Sequence, residues 1–412
     1  MKLTRITEFV TSVIIIHTVC AVRILLYFTY KYTCTYRVDG ASLYHNNITL
    51  LQRALTAALA NAPYYTQRLV QEKRGMWLEP NTEPCLVYPG STMRNIPEQT
   101  NGYLFCISCE GDTVYFDWHH FLLDGHGVSP LFTSILEQYC NLRYGTAFVA
   151  PAIVCDPPYD MEAILAKYPP VESGSDVIQR EAVQTYEDAL RRTRVCLSKQ
   201  SLVEKALANN AKPVSTLMGL LCMAMREYLG KENIQYSFST DTRDVAGVPN
   251  ALYNCVCSFE HTVQLQAQTR LADLVPDIDA NIKRDLQPES KLRRMAVQMG
   301  WVYKVEQQNV PLRIKQRVFQ MGEYIGGTIS DFWLSYLGNP LMPANPELAQ
   351  YTTDFGVWVP PEGASVGVEA ASLNGKIILC IHSKAPIPGL ADILCKTFER
   401  EGVAVLEAAD LD

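Results

Sequence analysis

A seven-residue segment places two histidines, one aspartate and one glycine at a spacing suited to acid–base chemistry. It reads His119-His120-Phe121-Leu122-Leu123-Asp124-Gly125, a pattern of the form HHxxxDG. A neutral imidazole accepts a proton at physiological pH because the ordinary pKa of histidine is about 6.5. Adjacent residues of an extended segment point in opposite directions. We therefore expect one histidine to act as a general base and the other to have a structural role.

Two roles are open for Asp124, which either orients the base or braces the loop by pairing with an arginine elsewhere. No G-x-S-x-G serine elbow occurs in the chain, which disfavours a Ser-His-Asp hydrolase. A general base in a protein that has no nucleophilic serine of this type favours direct acyl transfer. In that reaction His120 deprotonates a hydroxyl or amine of the acceptor, which attacks an activated acyl group. Such assistance contributes roughly 10²- to 10⁴-fold. A lone histidine or Asp-Gly pair often has only a local role, but the seven residues together favour catalysis.

The flanking residues predict a strand, a loop and a helix around the motif. Residues 113–118 alternate and are rich in β-branched and aromatic side chains, as in a strand. Ser129-Pro130 has the form of a helix N-cap followed by proline at the first helical position, and Gly145 supplies a stop. The motif is therefore expected on a connection that holds its side chains firmly beside a cleft.

The rest of the chain alternates helical and strand patterns. Helices are predicted at residues 50–62, 215–229, 270–286 and 291–307, and strands at residues 33–38, 234–239, 328–336, 365–371 and 376–383. Ser201-Leu202-Val203-Glu204 has the form of a capping box, and the proline-rich segment 150–174 that of a crossover linker. A chain of 412 residues is too long for one typical domain. We predict an α/β (α+β) protein with two halves, residues 1–174 and 175–412, each a mixed sheet with flanking helices.

The motif resembles the active-site signature of an acyltransferase superfamily. This superfamily includes chloramphenicol acetyltransferase, the condensation domains of peptide synthetases and alcohol acyltransferases, and the chain looks most similar to stand-alone bacterial alcohol acetyltransferase-like proteins. The resemblance implies two chloramphenicol-acetyltransferase-like subdomains with the active-site channel between them. It also implies that His120 is the base and that Asp124 turns away from the substrate to hold the loop, with His119 and Gly125 in support.

Two later segments follow in the order that the resemblance requires. Asp241-Thr242-Arg243, with the later Asn254, looks like the D-x-R segment of the family, and Arg243 is then the natural partner of Asp124 because an unpaired buried charge is costly. Ser335 lies in a segment that resembles the family's serine-containing strand and is a candidate oxyanion donor. Asp354 begins a DFG-type stretch that reads DFGVW here and DFGWG in the plant enzymes. Asn254 and Asp354 are candidate substrate-binding residues.

Charge and cysteine usage exclude some functions. The net charge of −7 leaves no basic surface for nucleic acid, although a phosphate-bearing donor such as coenzyme A needs only a local basic patch. The 13 cysteines show no disulfide framework. Cys106 and Cys109 lie three apart in a predicted strand and face opposite sides, so no metal site is expected. We expect a cytoplasmic protein in a reducing compartment, with no permanently bound cofactor.

The apolar segment 9–30 is long enough to span a bilayer. His17 and Arg23 interrupt it, and no signal-peptide cleavage site follows. The flanking charges give no orientation bias. We favour a core-facing segment that merges into the first strand, and a membrane anchor is the alternative.

Three functions fit the sequence. The first is an acyl-CoA-dependent O-acyltransferase, in which His120 activates a small-molecule alcohol that attacks the thioester. The second keeps this chemistry with a carrier-protein phosphopantetheine thioester as donor and forms an ester or an amide. The third is a catalytically silent relative used for binding, against which the intact HHxxxDG motif argues.

Overall fold

The computed structural model describes the chain in eight stretches. These are residues 31–38, 44–92, 94–169, 191–318, 330–341, 345–359, 364–383 and 385–411. The apolar segment 9–30 lies outside them. None of the helices formed by these eight stretches combines the length and the apolarity needed to cross a bilayer.

The strands of these stretches form three sheets. They are β1 (Lys31–Val38), β2 (Gln67–Gln71), β3 (Met76–Pro80), β4 (Val87–Pro89), β5 (Phe105–Glu110), β6 (Thr113–His119), β7 (Arg191–Ser198), β8 (Asn233–Asp241), β9 (Val256–Gln264), β10 (Ser330–Tyr336), β11 (Thr352–Trp358), β12 (Ala364–Leu373), β13 (Lys376–Ser383) and β14 (Val405–Asp410). The predicted strands coincide with β1, β6, β8, β10, β12 and β13 within a few residues, apart from residues 328 and 329, which lie outside the described residues.

The same stretches also form helices. They are α1 (Tyr44–Ala60), α2 (Gly125–Tyr144), α3 (Met161–Lys167), α4 (Lys199–Ala208), α5 (Pro213–Leu229), α6 (Arg243–Ala246), α7 (Leu271–Asp285), α8 (Pro288–Glu306) and α9 (Leu390–Arg400). The four long helices predicted from periodicity are confirmed as α1, α5, α7 and α8. Short α3 lies inside the predicted linker, and residues 170–174 of that linker lie outside the described residues.

Two mixed sheets form the two halves. The first has the strand order β11-β1-β6-β5-β4, and the second has the order β14-β7-β13-β12-β10-β8-β9. The mixed α/β class is therefore confirmed. One strand departs from chain order, because β11 lies in the sequence of the second half and pairs with β1 in the first sheet. The boundary at residue 174 thus does not separate the two sheets completely.

One face of the second sheet packs on α5, α7 and α9 around an apolar core. Its other face carries Ile378 and Cys380, which belong to the core of the first half. The backbone N–H of Val357 on β11 donates to Sγ of Cys380 at 3.3 Å. This second face is therefore the one that meets the first sheet.

Helix α2 begins earlier than predicted. The sequence analysis placed its N-cap at Ser129-Pro130, but the carboxylate of Asp124 accepts a hydrogen bond from the backbone N–H of Gly127 at 2.8 Å and caps the helix there. Pro130 consequently lies inside the helix. The predicted stop is confirmed, since Gly145 adopts a left-handed conformation at the C-cap.

Helix α4 also begins earlier than predicted. Its N-cap is Ser198, whose hydroxyl accepts from the backbone N–H of Ser201 at 3.3 Å. The predicted capping box that starts at Ser201 is therefore wrong by about one turn. Ser201 instead lies in the first turn and donates its hydroxyl to the carbonyl of Ser198, and such bonding is common near helix starts.

Candidate active site

Asp124 connects the motif loop to the second half of the chain. Its Oδ1 accepts from Gly127 N and from Nη2 of Arg243, both at 2.8 Å, and its Oδ2 accepts from the backbone N–H of Cys255 at 2.8 Å. The side chains of Asp124 and Arg243 are 1% and 3% exposed. Burial would raise the pKa of Asp124, but Arg243 and the two backbone donors lower it below its ordinary value. Asp124 is therefore an ionised clamp.

Arg243 gathers the segment 251–255 around its guanidinium group. Its Nε donates to the carbonyl of Ala251 at 2.7 Å, and its Nη2 also donates to the carbonyl of Tyr253 at 2.9 Å. A second carboxylate, that of Asp241, accepts from Nη1 at 3.0 Å. These bonds fix the residues between β8 and β9, and they bring Asn254 to the motif.

His120 is partly exposed and is held by Asn254. The side-chain amide nitrogen of Asn254 lies 2.8 Å from Nδ1 of His120. The orientation of that amide is set by its oxygen, which accepts from the backbone N–H of Val256 at 3.0 Å. Because an amide N–H donates, Nδ1 of His120 accepts, and the neutral ring carries its proton on Nε2.

The ring of His119 has different partners from that of His120. His119 is 5% exposed, and its Nε2 lies 2.9 Å from the carbonyl oxygen of Ile96, to which it donates. The ring stacks on Phe121 with 5.3 Å between ring centroids. The two adjacent histidines thus face different surroundings, as expected for an extended backbone.

Three aromatic residues that sequence reasoning missed hold the loop carbonyls. The hydroxyl of Tyr64 donates to Leu122 O at 3.0 Å, and that of Tyr65 donates to Gly127 O at 2.6 Å. The indole N–H of Trp118 donates to Leu123 O at 2.9 Å. A buried tyrosine or tryptophan requires a polar partner, so the Tyr64-Tyr65 pair after α1 was the available signal.

Close approaches explain the glycines that begin α2. A Cβ atom on Gly125 would lie 2.3 Å from Cδ2 of Leu337, which follows β10. A Cβ atom on Gly127 would lie 1.8 Å from the carbonyl oxygen of Leu252. The helix start thus lies directly against the second half, and both contacts require the absence of a side chain.

The other two candidate residues are bonded within and between the sheets. The hydroxyl of Ser335 on β10 is hydrogen-bonded to the carboxyl group of Glu369 on β12. Asp354 on β11 forms an ion pair with Arg194 on β7. Its carboxylate also accepts from the backbone N–H of Phe355 at 2.9 Å. That ion pair links the two sheets. Within the eight described stretches, no group of histidine, cysteine and acidic side chains has the arrangement of a metal site.

Neither a protein-family model nor a curated protein sequence matches the chain. Solved structures do match it over nearly its whole length. Polyketide synthase associated protein 5 from Mycobacterium tuberculosis superposes with a TM-score of 0.64 at 17% identity, covering 96% of this chain and 99% of that one. The first condensation domain of the CDA synthetase superposes with a TM-score of 0.61 at 13% identity, covering 97% and 98%.

The chain has the fold that these solved structures share, which is the fold of a condensation domain. A third structure of this fold, F. graminearum TRI101 complexed with coenzyme A and T-2 mycotoxin, superposes with a TM-score of 0.59 at 11% identity and covers 92% and 96%. In the present condensation-domain fold, His120 lies at the end of a strand of the first sheet, and Asn254 precedes a strand of the second. The candidate active site therefore lies where the two halves meet.

Proposed function

We propose that the protein is an acyltransferase that moves an acyl group from a thioester to a hydroxyl acceptor, with His120 as the proton-transferring group. The observation that carries the proposal is the anchored ring of His120, which is partly exposed at the junction of the halves and bonded to Asn254. Asp124 is fully engaged by three donors. His120 is therefore the member of the motif that is left to act on a substrate.

In the proposed reaction the acceptor hydroxyl gives its proton to Nε2 of His120 while its oxygen attacks the thioester carbonyl. The tetrahedral intermediate then collapses, the C–S bond breaks, and the thiolate takes the proton back from Nε2. Atoms and charge balance without a further reactant. General-base assistance of this type contributes roughly 10²- to 10⁴-fold.

The bond from Asn254 defines a resting state that precedes this step. With Nδ1 accepting from Asn254, the proton of the neutral ring is on Nε2, where it blocks the proposed base. The base-competent ring has its proton on Nδ1, so the side-chain oxygen of Asn254 has to face it. Turning the amide in this way breaks the 3.0 Å hydrogen bond from the backbone N–H of Val256 to the side-chain oxygen of Asn254. Asn254 is thus a positioning residue, and its amide is proposed to turn when substrates bind.

Free acyl-CoA is the proposed donor. TRI101, which shares the fold, has been solved with coenzyme A, and so has a starter condensation domain in complex with C8-CoA. Condensation domains themselves support the second candidate, a carrier-protein thioester. Initial rates with an acyl-CoA and with the same acyl group on a carrier protein distinguish the two donors.

A cytoplasmic location is part of the proposal. The 11 cysteines from Cys85 to Cys395 are free thiols, and most of them are buried, where they pack as small apolar side chains. Free thiols of this number suit a reducing compartment.

The test of the function uses purified protein, a mixture of acyl-CoAs and a panel of alcohols, with products identified by mass spectrometry and free thiol measured over time. His120→Ala is expected to lower the rate at least 100-fold without unfolding the protein. His126→Ala is the matched control, because this histidine is 56% exposed on the first turn of α2. Near-normal transfer by His120→Ala contradicts the proposal. The absence of transfer by the wild type to every acceptor favours the silent relative.

A further inference from the structure

A second group of polar side chains lies on the face of the second sheet that meets the first. Ser335 on β10 pairs in register with Glu369 on β12, and Gly367, two residues before Glu369, pairs with His382 on β13. Residues paired across strands lie on the same face, and so do residues two apart along a strand. Ser335, Glu369 and His382 therefore project together, beside Cys380 of the first-half core.

Three polar atoms of this group have no hydrogen-bond partner, although Ser335 is bonded to Glu369. Glu369 is 7% exposed and His382 is 0% exposed. Within the part of the chain that the structure describes, Oε2 of Glu369 and both ring nitrogens of His382 make no hydrogen bond. Buried polar atoms are nearly always paired, because leaving one without a partner destabilises the protein. Three such atoms on one face indicate that a water or a group of a ligand supplies their hydrogen-bond partners.

Both groups are uncharged at neutral pH. Burial raises the pKa of Glu369 to about 8, although its hydrogen bond with Ser335 acts in the opposite direction. Burial lowers the pKa of His382 to about 3, although the backbone of Cys380 acts in the opposite direction. The protonated carboxyl offers an O–H donor, and the neutral imidazole offers one N–H donor and one acceptor nitrogen. The group therefore presents hydrogen-bonding capacity without net charge.

The ring of His382 is held in a fitted position. A Cβ atom on Gly367 would lie 2.2 Å from Nε2 of His382 and 2.7 Å from the ring of Trp333. The rings of Trp333 and His382 lie 5.2 Å apart between centroids. A glycine at 367 thus allows one edge of the imidazole to lie against β12, next to the indole of Trp333.

The group is close to the Gly125 end of the HHxxxDG motif. Leu337, which contacts the position of Gly125, follows Ser335 by two residues and donates its backbone N–H to Ala370 O at 2.9 Å. Two residues of strand span roughly 7 Å. Ser335 and Glu369 therefore lie roughly 7 Å from the contact between Leu337 and Gly125. His382 lies a further two residues along the sheet, opposite Gly367.

We propose that Ser335, Glu369 and His382 form a subsite that binds an uncharged hydroxyl or carbonyl group of the acyl acceptor, remote from the hydroxyl that reacts. This inference rests on the proposed function and specifies its acceptor: a neutral molecule with a second oxygen function. Neither Glu369 nor His382 supplies a counter-charge for an ammonium or carboxylate group at neutral pH, and desolvating a charge is costly. Two arginines of β7 lie in register on the same face: Arg192 is opposite His382, and Arg194, opposite Cys380, is already paired with Asp354.

The test compares acceptors that share the reacting hydroxyl and differ at the far end. With acetyl-CoA as donor, kcat/KM is measured for 1,4-butanediol, 1,6-hexanediol and 1,8-octanediol against the matching 1-alkanols. The diol values are halved because a diol has two equivalent hydroxyls. At the best length, the corresponding amino alcohol and hydroxy acid are added. We expect the diol to exceed the alkanol by about five-fold, the value of one or two net hydrogen bonds, and to exceed both charged analogues.

Variants assign the preference to the subsite. Glu369→Gln keeps a neutral donor and acceptor and is expected to keep the preference, whereas Glu369→Leu is expected to reduce the diol-to-alkanol ratio to about one. Ser335→Ala provides a second, milder variant in case Glu369→Leu does not fold. Glu399→Leu, which replaces an exposed glutamate on α9, is the control. Equal diol and alkanol values in the wild type overturn the proposal, as does a ratio that Glu369→Leu and Ser335→Ala leave unchanged.

Two further outcomes are distinguishable. A preference for the amino alcohol that disappears in Glu369→Gln means that Glu369 binds as a carboxylate, and it overturns the uncharged subsite. If the wild type acylates no acceptor, the proposed function fails, and the subsite is then judged by thermal shift. Stabilisation by the diol, but not by the alkanol, that is lost in Glu369→Leu supports the subsite, and equal shifts overturn it.

Discussion

The side-chain amide of Asn254 donates to Nδ1 of His120 across 2.8 Å, and the two residues come from different halves of the chain. This contact determines which ring nitrogen carries the proton in the resting protein. Replacement of the amide NH₂ by oxygen is the smallest change that reverses it. Asn254→Asp keeps an oxygen for Val256 N and presents a second oxygen to His120, which can only accept.

We predict that the proton of neutral His120 is on Nε2 in the wild type and on Nδ1 in Asn254→Asp. Nitrogen-15 chemical shifts of histidine-labelled protein distinguish the two forms, and His120→Gln assigns the signals. A nearby carboxylate favours the charged ring, so the acid limb of the pH–rate profile should move to higher pH in Asn254→Asp. An identical nitrogen-15 pattern in the two proteins would show that the Asn254 contact does not set the tautomer.

Asp124→Asn is expected to lower the free energy of unfolding by about 3 kcal/mol at pH 7, because it leaves the buried charge of Arg243 without its main partner. The folded-state pKa of Asp124 lies below its ordinary value. The contribution of ionised Asp124 to the free energy of unfolding is therefore present at neutral pH and is lost as the pH falls through the acid range. Urea unfolding at pH 7 and at pH 3 should show a difference between wild type and variant that shrinks in acid.

The control for this variant is Asp277→Asn, an exposed carboxylate on α7 that should change stability little. Arg243→Ala should reproduce the loss seen in Asp124→Asn. If Asp124→Asn unfolds like the wild type and loses only turnover, Asp124 orients the catalytic base and is not a structural clamp.

Gly125→Ala and Gly127→Ala should differ in whether they can be rescued. The added methyl at 125 meets the flexible side chain of Leu337, so its cost of about 1–3 kcal/mol should be relieved by a second change, Leu337→Ala. The methyl at 127 meets the backbone oxygen of Leu252, which no side-chain change can move away. Thermal unfolding of the two single variants and of both combinations with Leu337→Ala measures this. Rescue of Gly127→Ala would contradict the described start of α2.

Glu369→Gln should make the protein more stable at alkaline pH. The folded-state pKa of Glu369 is raised to about 8, so between its ordinary value near 4.5 and pH 8 the folded state binds more protons than the unfolded chain. Stability due to this group therefore falls as the pH rises, by up to about 1.4 kcal/mol per pH unit. The variant should equal the wild type near pH 4 and exceed it at pH 8. Glu399→Gln should show no such pH-dependent difference, and a parallel pH dependence of Glu369→Gln and the wild type would contradict the raised pKa.

Local patterns predicted much of the fold because they are read along a single segment. The period of apolar residues located α5 and α7, and Gly230 ends α5 in a left-handed conformation. The predicted caps of α2 and α4 were wrong, because several polar residues near a helix start can serve as the N-cap. Asp124 caps α2 ahead of Ser129 because its carboxylate also meets Arg243, a contact that is remote in sequence.

Long-range relationships were not available from periodicity. The strand β11 has an ordinary strand pattern, and nothing in that pattern specifies β1 as its neighbour. Two of the three subsite residues, Glu369 and His382, were also missed. A glutamate within the apolar segment 364–373 and a histidine at the end of the apolar segment 376–383 were the signals, since buried strands seldom contain such groups without a partner. Their shared face became visible only with the register of β12 and β13.

The pairing of β1 with β11 constrains how the protein can be synthesised and divided. The first sheet is complete only when residues 352–358 pair with residues 31–38. During translation the edge of β1 is therefore exposed until most of the chain has emerged from the ribosome, and contacts of such large sequence separation slow folding. A gene fragment that stops at residue 174 would encode a sheet with an open edge, so the two halves are expected to fold as one cooperative unit.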